Sequence, residues 1–172
     1  MPKIDELVVN YAIYENATEY LGTTEVELPD IAFLTEEISG AGIGGKVEEI
    51  IMGHIEAMST TFSFRTVTAA AAKLMTPKVH KIDLRVAQQR VNTRTSETDI
   101  SKVKHIMKVK PKTTKLGKVS AASTADVSGE YAVSYYAMYI DGKCMTEIDP
   151  YNYICKINGV DYLAAVRKAL GK

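Results

Sequence analysis

The sequence predicts a mainly β (α+β) fold with two short helices, one mid-chain and one at the C-terminus. Three observations carry this. Segments rich in β-branched and aromatic residues alternate with period two, most clearly Val79 to Val91 and Tyr131 to Asp141. Helical patterning is confined to an alanine run at Ala69 to Met75 and to the stretch after Asn158. Hydrophobic residues make up 46% and charged residues 24% of 172 residues, which suits one folded domain and excludes disordered, collagen-like and coiled-coil chains.

In chain order, Val8 to Tyr14 reads as a strand, Asn16-Ala-Thr-Glu19 as a turn, and Tyr20 to Leu28 as a second strand ended by Pro29. Ile55 to Phe64 alternates in part. Glu56, Met58, Thr60, Phe62 and Phe64 face one way and Ile55, Ala57, Ser59, Thr61 and Ser63 the other. Each face mixes polar and apolar residues, so this strand is expected not to bury cleanly on one side. Thr66 or Thr68 caps the helix at Ala69 to Met75, and Pro77 stops it. Val79 to Val91 sets His80, Ile82, Leu84 and Val86 against Lys81, Asp83 and Arg85, a half-buried pattern.

Asn92 to Asp99 is a polar loop. Lys102 to Lys110 alternates again, with Val103, His105, Met107 and Val109 opposite lysines. Residues 111–128 are small and polar and are expected to form a mobile loop. Asp141-Gly142 is a hairpin signal. Cys144 to Ile148 and Tyr151 to Ile157 flank Asp149-Pro150 as a strand pair. If that hairpin is tight, Cys144 and Cys155 face each other, though two reduced thiols are expected. Asn158 and Asp161 have capping-box spacing for the C-terminal helix. Val160, Leu163, Val166 and Leu170 form its apolar stripe, Arg167 and Lys168 its last turn, and Gly171 its exit.

The net charge is zero but segregated: −10 over residues 1–60, +11 over residues 61–120 and −1 thereafter. Either the fold keeps complementary faces apart, or it interleaves them into a mixed surface. No apolar run approaches the length of a membrane span, so the monomer is not expected to insert in a bilayer. Met1-Pro2-Lys3-Ile4-Asp5-Glu6 carries two acids before any apolar stretch and does not read as a secretory signal.

Candidate chemistry is sparse. Gly40-Ala-Gly42-Ile-Gly44-Gly45 has the glycine spacing of a dinucleotide loop. It lacks both the buried strand before it and the acid further on, so it reads as a flexible loop between strands. His54, His80 and His105 lack metal-ligand spacing, and no serine or cysteine sits in a nucleophile motif. No cofactor, metal or catalytic residue is expected. Lys102 to Lys118 holds seven lysines and no acid. A nucleic-acid-binding β-barrel would use such a stripe, but it would interleave aromatics, and this stretch has none. A solvated or protein-facing basic face fits better. Seven of ten tyrosines lie between Tyr131 and Tyr162 and are expected to pack a sheet under a helix.

One resemblance goes further. Tyr131-Ala-Val-Ser-Tyr-Tyr136, Asp141-Gly142, Glu147-Ile-Asp-Pro150, Asn152, Ile157-Asn-Gly-Val-Asp161, Leu163, Arg167 and Leu170-Gly171 resemble the C-terminal signature of the major tail tube proteins of contractile-tailed phages and R-type pyocins. Asn10, Leu21-Gly22, Leu28-Pro29, the Glu37-to-Gly42 loop, Met52-Gly53 and Ala57-Met58 are similar in order and spacing. The match covers roughly the first 65 and last 45 residues and leaves residues 67–128 unmatched. Glu15-Asn16 departs from the Asp-Gly frequent in the family, a change of turn type.

The resemblance implies an antiparallel β-sandwich or barrel-like domain with a helix on the sheet. Six copies would close into a ring, and rings would stack into the inner tube of a contractile tail. Its partners would be the sheath, baseplate and tape-measure proteins, with DNA only as passing cargo, or no DNA in a bacteriocin. The setting would be the virion tail or bacteriocin particle, assembled in the bacterial host cytoplasm. Ser39, Gly40, Gly42, Gly44 and Gly45 would reach a neighbouring ring, ordering only on stacking at an entropic cost. Glu36, Glu37, Glu48 and Glu49 would meet a neighbour's lysines. Lys102, Lys104, Lys108 and Lys110 would face another copy or the sheath rather than a DNA-conducting lumen, where they would hold phosphate. Ser59, Thr61 and Ser63 are the lumen candidates. Ring closure also pairs sheet edges that a lone domain leaves open.

Overall fold

The computed structural model describes residues 3–23 and 25–172. Thr24, inside the expected strand Tyr20 to Leu28, and Met1 and Pro2 of the N-terminal reading lie outside the described residues. The elements are β1 (Lys3–Glu15), β2 (Glu19–Tyr20), β3 (Glu25–Glu27), β4 (Phe33–Ile38), β5 (Val47–Ile55), β6 (Met58–Phe64), α1 (Ala69–Leu74), β7 (His80–Asn92), β8 (Thr98–Lys115), β9 (Val127–Ile140), β10 (Lys143–Asp149), β11 (Ile154–Ile157), β12 (Val160–Asp161) and α2 (Ala164–Ala169).

Among the described residues, β12-β11-β10-β9-β8-β7-β1-β2 form an antiparallel path, and β6 with β3 branches from β9. β8 occupies one edge of β9 along most of its length. The other edge divides: Tyr136 to Ile140 pairs with β10, and Val127 to Val133 pairs with β6. This fork lets the sheet diverge and enclose a core of Ile13, Phe62, Ile82, Met107, Tyr131 and Ile148, which α1 joins through Leu74. Phe62 and Tyr131 pack as a tilted pair with ring centroids 4.9 Å apart, worth about 1 kcal/mol beyond the area they bury. The expected mainly β, barrel-like architecture with two short helices is the one observed.

Several elements differ from the sequence reading for identifiable reasons. β6 is cleanly amphipathic: Met58, Thr60, Phe62 and Phe64 are buried. Thr60 enters the core because its hydroxyl donates to the Glu27 carbonyl, so a polar residue hides in the apolar face. The expected strand from Ile55 is split: β5 ends at Ile55 and β6 starts at Met58. The expected second strand is also divided. β2 pairs with β1, β3 pairs with β6, and the chain crosses between them at Leu21-Gly22, with Gly22 at φ +63°.

The hairpin of β4 and β5 is unanticipated. Residues 39–46 do form its irregular tip. Only residues 116–126 of the expected mobile loop at 111–128 lie outside strands. β8 runs through Pro111 because β7 has ended opposite Val109, leaving an edge position that tolerates proline. The loop is tied at its base: the Lys118 amide donates to the Ala125 carbonyl and the Ala125 amide to the Arg65 carbonyl, each at 2.7 Å.

Thr68 caps α1, accepting from the Ala71 amide at 3.1 Å. Asn158 does not cap α2. With Gly159 it forms a left-handed turn (φ +50° and +86°) between β11 and β12, because an Asn-Gly pair favours the tight hairpin turn. α2 begins later, after Leu163, and of the expected apolar stripe only Leu163 is buried. Arg167 and Lys168 do occupy its last turn. Cys144 and Cys155 do not face each other: Cys155 pairs with Ile148 and Cys144 with Tyr139, and both thiols are free.

Candidate assembly surfaces

The β4–β5 hairpin stands off the body. Glu36 pairs with Glu49 and Glu37 with Glu48, and all four carboxylates are exposed. Like charges directly opposite each other weaken a strand pair. Local relief is small: Lys46 bonds Glu37 at 2.6 Å and Thr35 donates to Glu48 at 2.7 Å. The register places Ile38 and Val47 on one face and Ile50 on the other, Ile51 and Met52 follow in the irregular stretch before Ile55, and all five are exposed. A two-stranded hairpin is marginal alone in water, and this one has aliphatic side chains uncovered on both faces.

Its root is rigid. Gly53 has φ +69°, and a Cβ there would lie 2.4 Å from Leu163 Cγ. Leu163, carried between β12 and α2, is buried against this glycine. Asp161 fixes that segment by accepting from the Leu163 amide and from Arg167 Nη2. The Arg167 hydrogen bond, partly opposed by burial, holds the Asp161 carboxyl below the ordinary carboxylate range.

A second surface is the outward face of the main sheet. Cross-strand register puts Ser59, Ala132 and Lys110 in one row, Ser63, Ser128 and Lys115 in another, and Arg85 with Lys104 in a third. The lumen candidates Ser59, Thr61 and Ser63 therefore share a face with Lys104, Lys108 and Lys110, at its β6 end. Lys104 and Arg85 converge on buried Asp83 at 3.1 and 3.0 Å. Lys108 lies 4.9 Å over the Tyr135 ring, whose hydroxyl donates to Glu147. Burial, with the Glu147 charge behind it, pushes the Tyr135 phenol up. The Lys102 amide donates to Asp141, which also meets Arg90 at 3.1 Å. That backbone hydrogen bond and the Arg90 charge hold the Asp141 carboxyl down against its desolvation.

A buried polar cluster at the base of α1 escaped sequence reading. His80 Nε2 lies 3.0 Å from the Thr76 carbonyl and Nδ1 lies 2.7 Å from Glu15. A carbonyl only accepts, so Nε2 donates and one proton must lie between Nδ1 and the carboxyl. Lys73 meets the other Glu15 oxygen at 3.1 Å and also pairs with Glu19. Burial raises the Glu15 carboxyl, but the His80 and Lys73 hydrogen bonds and charges outweigh it and leave it below its ordinary range. His105 bonds the Tyr136 hydroxyl and burial pushes its imidazole down, while His54 is exposed on β5. Among the described residues no cluster of histidine, cysteine or carboxylate side chains is placed to hold a metal ion.

The chain is a mainly β domain that buries Glu15 with His80 and pairs buried Asp83 with Lys104, and whose β4–β5 hairpin leaves its aliphatic side chains exposed. The chain belongs to the phage tail tube protein FII family, whose pattern it matches over residues 5–171. Two solved structures are similar in fold. One is from an extracellular contractile injection system, the PVC sheath/tube terminator in the extended state. It has a TM-score of 0.58 at 12% identity, covering 79% of this chain and 97% of that one. The other is from the PVC sheath-tube complex in the extended state, with a TM-score of 0.53 at 13% identity, covering 76% of this chain and 88% of that one. Comparison with curated proteins finds no match.

Proposed function

We propose that six copies of this chain close into a ring and that rings stack into the inner tube of a contractile tail. The match to the tail tube family over residues 5–171 carries this reading. The role is structural rather than catalytic. A sheath encloses the tube, a baseplate and a tape-measure protein set its start and length, and the tube penetrates the target envelope and conducts DNA. Assembly takes place in the bacterial host.

The tip residues Ser39, Gly40, Gly42, Gly44 and Gly45 then reach a neighbouring ring, and Glu36, Glu37, Glu48 and Glu49 meet its lysines. On the shared outward face, the small hydroxyls Ser59, Thr61 and Ser63 line the channel. The lysine end, with Lys102, Lys104, Lys108 and Lys110, is covered by another copy or by the sheath. A polar, weakly charged wall lets DNA pass, whereas a lysine wall would hold phosphates by counterion release.

Electron microscopy of the concentrated chain, at low and moderate salt and with a nucleating baseplate, tests the reading. Hollow rings or tubes of uniform width are expected. A persistent monomer that binds DNA with steep salt dependence would overturn it. Tubes whose lumen displays Lys104 and Lys108 would overturn the assignment of the lysines.

A further inference from the structure

Among the described residues, two of the uncovered apolar surfaces differ in charge. One is the β4–β5 hairpin, with Ile50, Ile51 and Met52 exposed beside four glutamates and only Lys46 in opposition. The other is the outward face of the end of β1, β7 and β8 that runs beyond the core. There the register aligns Leu7, Gln89 and Ile100 in one row, Asn10, Ala87 and Lys102 in the next, and Ala12, Arg85 and Lys104 in the third. Ile4, Leu7 and Ile100 are each about half exposed.

Between these rows lies an open groove of 530 Å³. Ala12, Ala87 and Ile100 form its floor, and Arg85, Lys102 and Lys104 stand along its rim. The depth comes from the two alanines, because a larger side chain at either position would fill it. An apolar floor under a cationic rim suits a ribbon that carries aliphatic residues next to carboxylates.

We propose that this groove is the seat for the β4–β5 hairpin of a second copy of the chain. Charge complementarity selects that occupant. The hairpin's Glu48 and Glu49 adjoin the aliphatic run Ile50-Ile51-Met52, so carboxylates reach the Lys102 and Lys104 rim while an aliphatic side chain enters over Ala87. The contact is heterologous, since hairpin and groove are different patches. Repeating it therefore propagates copy to copy, as a ring or a stack requires. The inference rests on the tube reading and adds the receiving surface.

The test mixes two chains, Ile50→Cys and Ala87→Cys, each also carrying Cys144→Ser, so that the only native thiol left is the fully buried Cys155. Equal amounts are concentrated with a nucleating baseplate, allowed to assemble, oxidised and run without reducing agent, with Val160→Cys as an exposed control partner. A mixed disulfide dimer from Ile50→Cys with Ala87→Cys, absent with Val160→Cys, is the expected result. A second variant, Ala87→Phe, fills the groove at a half-exposed position. It should melt like the parent chain yet lose about tenfold or more in assembled material, the equivalent of 1.4 kcal/mol. Tubes that form without the mixed disulfide, or normal assembly of Ala87→Phe, overturn the seat and leave the tube reading standing. The mixed disulfide without tubes supports the seat and overturns the tube. Neither disulfide nor tubes overturns both.

Discussion

Gly53→Ala should damage the protein at one definable place. Gly53 sits at φ +69°, where an L-residue costs about 1–2 kcal/mol. The new Cβ would lie 2.4 Å from Leu163 Cγ and 2.6 Å from Cδ2, so the buried Leu163 side chain would have to move. Displacing it adds an overpacking cost of about 1–3 kcal/mol, for a total near 2–5 kcal/mol. Leu163→Ala alone should cost about 2–5 kcal/mol through the cavity it leaves. Combined, the two should cost less than their sum by about 1–3 kcal/mol, because the shortened side chain removes the clash. Urea denaturation of the four chains of this cycle gives the coupling, and hydrogen exchange on β4 and β5 locates it. Strict additivity, within about 0.5 kcal/mol, would refute the argument that Leu163 seats the hairpin root.

Other outcomes follow from the same geometry. Glu15→Gln breaks a buried charged pair and should cost about 3 kcal/mol near neutral pH. The Glu15 carboxyl is lowered in the fold, so its stabilisation is complete above the unfolded carboxylate value and fades as pH falls through the folded one; the gap between parent and variant in urea midpoint should narrow accordingly. Thr68→Ala removes the side-chain cap of α1 and should lower stability by about 1 kcal/mol in thermal melts. Gly117→Ala sets a Cβ 1.6 Å from the Ala125 carbonyl oxygen, so limited proteolysis should open the 116–126 loop, and an unchanged digestion pattern would contradict its pinned base. Lys104→Glu with Lys108→Glu should slow tube assembly at low salt, and unchanged light-scattering kinetics would remove the lysine face from the interface.

Local chemistry made much of this fold legible. The alternation in β7 and β8, the Asp141-Gly142 turn and the Thr68 cap each depend on a few neighbouring residues. What was hidden depends on distant partners. Thr60 looked like a flaw in β6 until the Glu27 carbonyl accepted the hydrogen bond from its hydroxyl. Asn158 offered two rival signals, and the Gly159 that follows it decided for the turn. The β4–β5 hairpin carries facing glutamates and exposed aliphatics, a pattern that satisfies no rule for a strand pair in water. That failure by local rules is why the sequence does not announce the hairpin. The Glu15–His80–Lys73 cluster joins residues from three elements, and no spacing in sequence announces it.

Charge and apolar area act on different steps of association. The stretch to residue 60 carries −10 and the next sixty residues +11, yet the chain sums to zero. If hairpin carboxylates meet the lysine rim, that opposition governs how often two copies approach in register, and it is screened within about 8 Å at physiological salt. The aliphatic contacts of Ile50 and Met52 govern how long the copies stay together, and modest salt leaves them intact. Raising salt should therefore slow tube growth while leaving the loss of subunits from finished tubes nearly unchanged. Growth followed by light scattering and loss followed after dilution separate the two. Equal salt sensitivity of both rates would mean that charge pairs, not the aliphatic ribbon, hold the assembled tube.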